Sequence, residues 1–145
     1  FLNSYFAKFP EIKVYMDKTI KFCRKSGYVN NIFGRRSHFI NINDKNFNIR
    51  NFQERAAINA PIQGSASEIM RLAMIRLNKK FKNQKTKMLL QIHDELIFEA
   101  PKEEVKRISK VIIDEMSSVA YSDLHSFSIP LTIDLNTGDN WGTLH

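Results

Sequence analysis

The sequence predicts an α+β fold in which helices pack on one face of a small antiparallel sheet. Apolar residues recur at helical spacing over residues 10–26 and again from residue 102 to 118. Residues 87–100 are apolar on both sides of a polar centre, which predicts two strands joined by a tight turn. Residues 129–135 alternate apolar with Pro, Thr and Asp, which predicts a closing strand with one buried face.

The first long helix has clear signals at both ends. Pro10 and Glu11 suit its first turn, because proline needs no donor there and an acid complements the macrodipole. Gly27 follows as a C-terminal stop. The pattern predicts one amphipathic helix over residues 10–26.

The next segment combines short strands with a basic turn. Tyr28–Phe33 and Phe39–Ile42 predict two extended pieces, separated by the turn formed by residues 34–37, Gly-Arg-Arg-Ser. Residues 41–48 carry four Asn, which predicts an exposed loop.

Residues 48–81 are mostly strong helix formers, but Pro61 and Gly64 interrupt the middle. The segment therefore predicts either two helices or one kinked helix. Pro101 restarts a helix over residues 102–118, with acids in its first turn.

Composition and charge narrow the class of protein. The 145 residues are 43% hydrophobic and 26% charged, enough apolar material for one core, so we expect residues 1–145 to be a single fragment of at most one domain. Lys and Arg number 22 against 15 Asp and Glu, and this net charge of +7 favours a polyanionic partner. The single Cys23 excludes an internal disulfide and a cysteine-based zinc cluster. With no apolar run near the roughly 20 residues of a membrane span, we expect a cytoplasmic protein. The start at Phe1 suggests a part of a longer chain.

The polar centre of the predicted hairpin is His93-Asp94-Glu95. Burying these three side chains without partners would be unfavourable, so we expect them at a strand turn that faces a cleft. Two adjacent carboxylates suit Mg²⁺, which takes oxygen ligands. A hairpin tip that is polar only because it is exposed to solvent explains the pattern equally well. A metal-dependent phosphohydrolase is disfavoured, because His38, His125 and His145 lack metal-ligand spacing.

A second constellation lies on the helix that enters Pro61. Arg55, Asn59 and Gln63 are spaced i, i+4 and i+8, so they share one helix face. One cation and two amides suit phosphates and base edges in the minor groove of a nucleic acid. A solvated helix face is the other interpretation, and taken alone the pattern favours it. Further positive charge comes from Arg35, Arg36, Arg50, Arg71 and Arg76.

With these residues considered together, the chain resembles the C-terminal part of family A DNA polymerases of the bacterial DNA polymerase I type. Four segments carry the resemblance in order and extend it over essentially the whole chain. They are GYVNNIFGRR at 27–36, ERAAINAPIQGSASEIMRLAM at 54–74, MLLQIHDELIFEAP at 88–101 and GDNWGTLH at 138–145. The resemblance implies the tail of the fingers and the C-terminal part of the polymerase palm, with residues 88–101 as its catalytic hairpin.

The resemblance also implies roles for particular residues. Asp94 matches the palm aspartate that binds the two catalytic Mg²⁺ ions, Glu95 the neighbouring acid, and His93 the residue that touches the primer-terminal nucleotide. Arg55, Asn59 and Gln63 match the helix face along the primer–template minor groove. The implied partners are primer–template DNA and a deoxynucleoside triphosphate (dNTP), and the implied reaction is template-directed nucleotidyl transfer by a monomer in the bacterial cytoplasm.

Two motifs of the family are not in this sequence: the SQIELR-like motif with its metal-binding aspartate, and the RxxxKxxxxxxxYG helix that grips the triphosphate. We therefore expect residues 1–145 alone to be inactive, and a non-catalytic nucleic-acid-binding remnant is the alternative. Departures from the family pattern are mild. They are Ile40-Asn41 for Pro-Asp, Asn136 for Gly, and Ser65, Ser67 and Glu68 for Thr, Ala and Asp.

Overall fold

Helices and short antiparallel strand pairs alternate along the chain in the computed structural model, which describes residues 2–122 and 125–144. The helices are α1 (Leu2–Lys8), α2 (Pro10–Ser26), α3 (Phe47–Phe81) and α4 (Val105–Ser117). The strands are β1 (Tyr28–Asn30), β2 (Arg36–His38), β3 (Lys87–Ile92), β4 (Glu95–Glu99), β5 (Tyr121–Ser122) and β6 (His125–Ser126). Short 3₁₀ helices cover Lys102–Glu104, Ser118–Ala120 and Trp141–Thr143. The predicted α+β class is confirmed, with three separate two-stranded sheets among the described residues. Phe1, His145 and the side chain of His125 lie outside the description.

The chain divides into two compact units, residues 1–66 (unit 1) and residues 67–145 (unit 2). Helix α3 is shared between them. No helix of the described residues is both long and apolar enough to cross a membrane.

Helix α2 spans the predicted residues, 10–26, and ends as expected. Gly27 adopts a φ of 77°, a left-handed conformation that favours glycine, and its N–H donates to the Cys23 carbonyl at 2.7 Å. The preceding α1 was not predicted, because seven residues are too few to show helical periodicity.

Two short strands pair after Gly27 as predicted, but the predicted position of the second strand, residues 39–42, is wrong. β1 pairs with β2, Tyr28 opposite His38 and Asn30 opposite Arg36, so the strand contains the predicted basic turn's Arg36 and Ser37. Residues 39–43 leave the ladder and turn instead. This turn buries Ile42, which is only 2% exposed, so core packing decides against continuing the strand.

Helix α3 is a single continuous helix with Pro61 inside it, so the alternative of two separate helices for residues 48–81 is wrong. Pro61 has no N–H to donate within the helix. Around it, the Ser65 hydroxyl donates to the Pro61 carbonyl and Tyr15 donates to the Ile58 carbonyl at 2.9 Å. One hydrogen bond within the helix and one tertiary hydrogen bond from α2 thus accompany the proline.

Unit 1 has a small core beneath α3, formed by Cys23, Val29, Ile42 and Ala57. All four are at most 2% exposed. Burial removes the Cys23 thiol from water and raises its pKa above the ordinary 9.0.

Unit 2 packs helices against one hairpin, as predicted. Strands β3 and β4 are antiparallel, with an irregularity between Met88 and Leu90. The apolar side of β4 contributes Leu96 and Phe98 to a core built on four residues of α3 and α4. Those four residues are Leu77, Phe81, Ile108 and Ile112.

The predicted closing strand at residues 129–135 is wrong, because this segment forms no strand. The predicted alternation of buried and exposed side chains is nevertheless present. Leu131, Ile133 and Leu135 are partly buried, whereas Thr132 and Asp134 are exposed. Leu135 packs on the unit 2 core. A strand requires a backbone partner as well as a buried face, and within residues 2–122 and 125–144 β3 and β4 pair only with each other.

Candidate nucleic-acid interface and acidic turn

A groove in unit 1 runs along the helix face that the sequence singles out. Its volume is about 510 Å³, and Arg55, Asn59 and Gln63 line it together. All three side chains are exposed, as helical spacing predicts for one face of α3. The remaining lining residues are Ser37, Phe39, Phe52, Ala56 and Ala60.

The lining of the groove suits a polar, negatively charged ligand that approaches closely. Ala56 and Ala60 also line the groove and lie beside the polar residues along α3, and their side chains are small. An arginine can bind phosphate, and the Asn59 and Gln63 amides can both donate and accept at base edges.

The opposite side of the groove comes from the β1–β2 hairpin, through Ser37 and Phe39. The neighbouring Arg36 makes a cation–π contact with Tyr28, because its guanidinium carbon lies 4.5 Å from the centroid of the Tyr28 ring. Arg36 and Ser37 are neighbours on β2, so their side chains point to opposite faces of the hairpin, and Arg36 lies on the face away from the groove.

The net positive charge of the chain resides wholly in unit 1. Residues 1–66 contain 11 Lys and Arg against 4 Asp and Glu, a balance of +7. Residues 67–145 contain 11 of each, a balance of zero. Such an asymmetry concentrates attraction for a polyanion on the unit that carries the groove.

The predicted acidic turn lies in unit 2, at the tip of the β3–β4 hairpin. Ile92 pairs with Glu95, so the connection consists of two residues, His93 and Asp94. All three members of the His93-Asp94-Glu95 set are exposed, but Glu95 is the first residue of β4 and not part of the turn proper.

The backbone of this turn is unusual at its first residue. His93 has a φ of 51°, a left-handed conformation that glycine or asparagine adopts more easily than histidine. Gln91 supports the turn, because its side-chain amide donates to the His93 carbonyl at 3.1 Å. Such local strain is often found at functional sites, and here it presents the Asp94 carboxylate at the tip.

The carboxylates of Asp94 and Glu95 supply oxygen ligands but not a complete metal site. Among residues 2–122 and 125–144, no group of three or more His, Cys, Asp or Glu is placed to hold a metal. Two adjacent, exposed carboxylates match the ligands that Mg²⁺ takes from a protein when substrate phosphates and water supply the others.

Several residues of the groove were not predicted from the sequence. Phe52, Ser37 and Phe39 were not singled out, although Phe52 lies one helical turn before Arg55 and its position was available from the spacing. The positions of Ser37 and Phe39 depend on hairpin register, which their local sequence does not show.

Comparisons with known proteins cover nearly the whole chain. The family model described as DNA polymerase family A matches residues 1–143. The DNA polymerase I of Streptococcus pneumoniae serotype 4 is 44% identical over 143 residues, which are 97% of this chain and 16% of that protein. The DNA polymerase I of Caldicellulosiruptor bescii is 41% identical with the same coverage.

Structural similarity agrees with this family. A solved structure described as the POL domain of Pol1 from M. smegmatis, in complex with DNA primer-template and dNTP, matches with a TM-score of 0.90 and 31% identity. The match covers 99% of this chain and 25% of that one. The chain spans about a sixth of the length of the curated relatives it matches, at 16%. On the combined evidence of motifs, fold and relatives, the chain belongs to DNA polymerase family A.

Proposed function

We propose that this region is the tail of the fingers and the C-terminal part of the palm of a DNA-directed DNA polymerase. In this proposal it acts within a longer chain that transfers nucleotides from a dNTP to a primer 3′-hydroxyl. Family membership supports the reaction. The observation that carries the binding part is the groove that aligns Arg55, Asn59 and Gln63 in the positively charged unit.

In this proposal the groove holds primer–template DNA. Arg55 contacts a phosphate, while Asn59 and Gln63 meet the acceptor groups of the minor groove. The similar solved structure, described as a complex with DNA primer-template and dNTP, supports both partners.

The hairpin tip supplies the catalytic acids in this proposal. Asp94 and Glu95 would hold Mg²⁺, with Asp94 the more important ligand, and His93 would contact the primer terminus. Bound Mg²⁺ would activate the attacking oxygen and stabilise the leaving one in a two-metal mechanism. The role of the chain in this step is to present two carboxylates toward the substrate phosphates. Both carboxylates are exposed to solvent at the hairpin tip.

A further part of the proposal concerns what residues 1–145 do alone. They contain neither the second metal-binding aspartate nor the triphosphate-gripping helix implied by the family resemblance. We propose that the region is inactive by itself, and that the complete enzyme acts as a monomer in the bacterial cytoplasm, in DNA replication or repair.

Primer extension by the full-length protein tests this function. The wild type should extend a primer with Mg²⁺ and four dNTPs, and Asp94→Asn should lower kcat at least about a thousandfold while primer–template affinity stays within about twofold. Glu95→Gln should have a smaller effect. Asp114→Asn is the matched control, because Asp114 is exposed on α4, away from the hairpin tip in sequence.

Two results would contradict the proposal in different ways. Normal turnover by Asp94→Asn would remove its metal role. Tight DNA binding without extension by the wild type would instead favour the non-catalytic nucleic-acid-binding module.

A further inference from the structure

A buried amide lies at the end of the groove where α3 approaches the β1–β2 hairpin. Asn31 follows β1 and is only 8% exposed. Its Oδ1 accepts hydrogen bonds from the N–H groups of Phe33 and Arg35, both at 2.9 Å. Its Nδ2 donates to the Gly64 carbonyl of α3 at 3.2 Å. One side chain therefore closes the hairpin turn and also ties it to the helix.

A second hydrogen bond joins the same two elements. The N–H of Ile32 donates to the hydroxyl of Ser65 at 3.2 Å, and that hydroxyl donates to the Pro61 carbonyl. Ser65 is also only 8% exposed. The approach is close, because a Cβ added to Gly64 would lie 3.5 Å from the Cβ of Asn31.

These contacts lie beside the groove. Gln63, which lines it, immediately precedes Gly64, and Ser37 lines the opposite side from the hairpin that Asn31 closes. The hydrogen bonds of Asn31 and Ser65 therefore hold the helix side of the groove against the hairpin side at this end.

We propose that Asn31 is a positioning residue for primer–template binding, which sets the spacing between the Arg55, Asn59 and Gln63 face of α3 and the β1–β2 hairpin, whose Ser37 lines the groove. Ser65 acts with it. The inference rests on the proposed function, because it assumes that the groove holds DNA. Asn31 touches the backbone of both elements and acts on DNA through the residues it places.

The chemistry of the side chain explains why asparagine suits this position. A buried group here must accept two N–H donors and donate to one carbonyl, which a primary amide does at once. Asn31→Asp keeps the acceptor for the turn but cannot donate to Gly64. Asn31→Ala loses all three bonds.

The experiment measures primer–template affinity of the full-length protein by fluorescence anisotropy, together with steady-state primer extension. We expect Asn31→Asp and Ser65→Ala to weaken DNA affinity about fivefold or more, with the KM for dNTP within about twofold of wild type. Circular dichroism at the assay temperature checks that each variant is folded. Asn30→Ala is the matched control, because Asn30 is an exposed neighbour on β1, and its affinity should equal that of wild type.

The outcomes separate this inference from the proposed function. Folded Asn31→Asp and Ser65→Ala proteins with wild-type affinity would overturn the inference alone, as would an equal loss in Asn30→Ala. A wild type that binds DNA but does not extend it would overturn polymerase activity and leave the affinity comparison valid. A wild type that does not bind primer–template would overturn both.

Discussion

The groove and the acidic turn are built in opposite ways. The groove uses residues spread over three turns of α3, backed by a buried core and a hairpin, and its unit carries the whole net charge of +7. The turn uses two residues at the end of a two-stranded hairpin, in a unit whose charges balance. One site offers an extended surface, the other a single exposed point.

This difference indicates how tolerant each site is to substitution. A charged groove distributes its binding energy over several contacts, so the loss of one weakens affinity without abolishing it. A pair of carboxylates has no substitute among its described neighbours, because no third acid joins them. We therefore expect graded effects in unit 1 and near-complete loss of chemistry at the tip in unit 2.

The cores beneath the two sites offer the largest expected effect on stability. Leu77→Ala in unit 2 should lower the free energy of unfolding by about 3 kcal/mol, because it removes a fully buried side chain packed on Phe81 and Ile108. Ile42→Val in unit 1 removes one methylene and should lower it by about 1 kcal/mol. Chemical denaturation measures both, and a Leu77→Ala effect no larger than that of Ile42→Val would contradict the assignment of the unit 2 core.

Two arginines test whether attraction for DNA is confined to unit 1. Arg55→Ala should weaken primer–template affinity about tenfold. It should also reduce the magnitude of the slope of log affinity against log salt concentration by about 0.9, the value for one phosphate contact. Arg107 is its matched control, exposed on α4 of unit 2, and Arg107→Ala should change neither quantity. Anisotropy titrations across several salt concentrations measure both. Equal losses in the two variants would mean that the charge asymmetry does not localise the DNA.

The strained turn predicts a smaller effect of opposite sign. His93→Gly should raise the free energy of unfolding by about 0.5 kcal/mol, because glycine adopts a φ of 51° with less strain. Asn83 is a matched site with a φ of 68°, and asparagine tolerates this region, so Asn83→Gly should give a smaller gain. Thermal denaturation of both variants measures the two changes in the free energy of unfolding. A larger gain at Asn83 would show that the His93 backbone is not the more strained of the two.

The core under the groove predicts the smallest effect, a dependence on pH. Because burial raises the pKa of the Cys23 thiol above 9.0, the folded state disfavours the thiolate. The preference of the folded state for the protonated thiol therefore contributes fully to stability below pH 9.0. This contribution is lost as pH rises through the raised pKa of Cys23. Alkylation of the folded protein should accordingly be slow and should accelerate when denaturant is added. Rapid alkylation without denaturant would show that the Cys23 core opens readily.

Local patterns predicted most helices and one hairpin correctly. Helix α2 and the β3–β4 hairpin are confirmed, and Arg55, Asn59 and Gln63 share one face as their spacing requires. These features depend on contacts between residues close in sequence, where periodicity, caps and turn residues act directly. The charge asymmetry also follows from sequence, once the division into units is known.

Other features were decided by contacts between distant residues. Burial of Ile42 favoured a turn over the predicted strand at residues 39–42, and residues 129–135 form no strand because they have no backbone partner. The second side of the groove and its attachment through Asn31 require the hairpin to meet α3, 33 residues later in the chain. The sequence by itself determined which helix face is polar and which turn is acidic, because these are local. Only tertiary structure decided what each one packs against, since burial and backbone pairing are satisfied by residues far away in sequence.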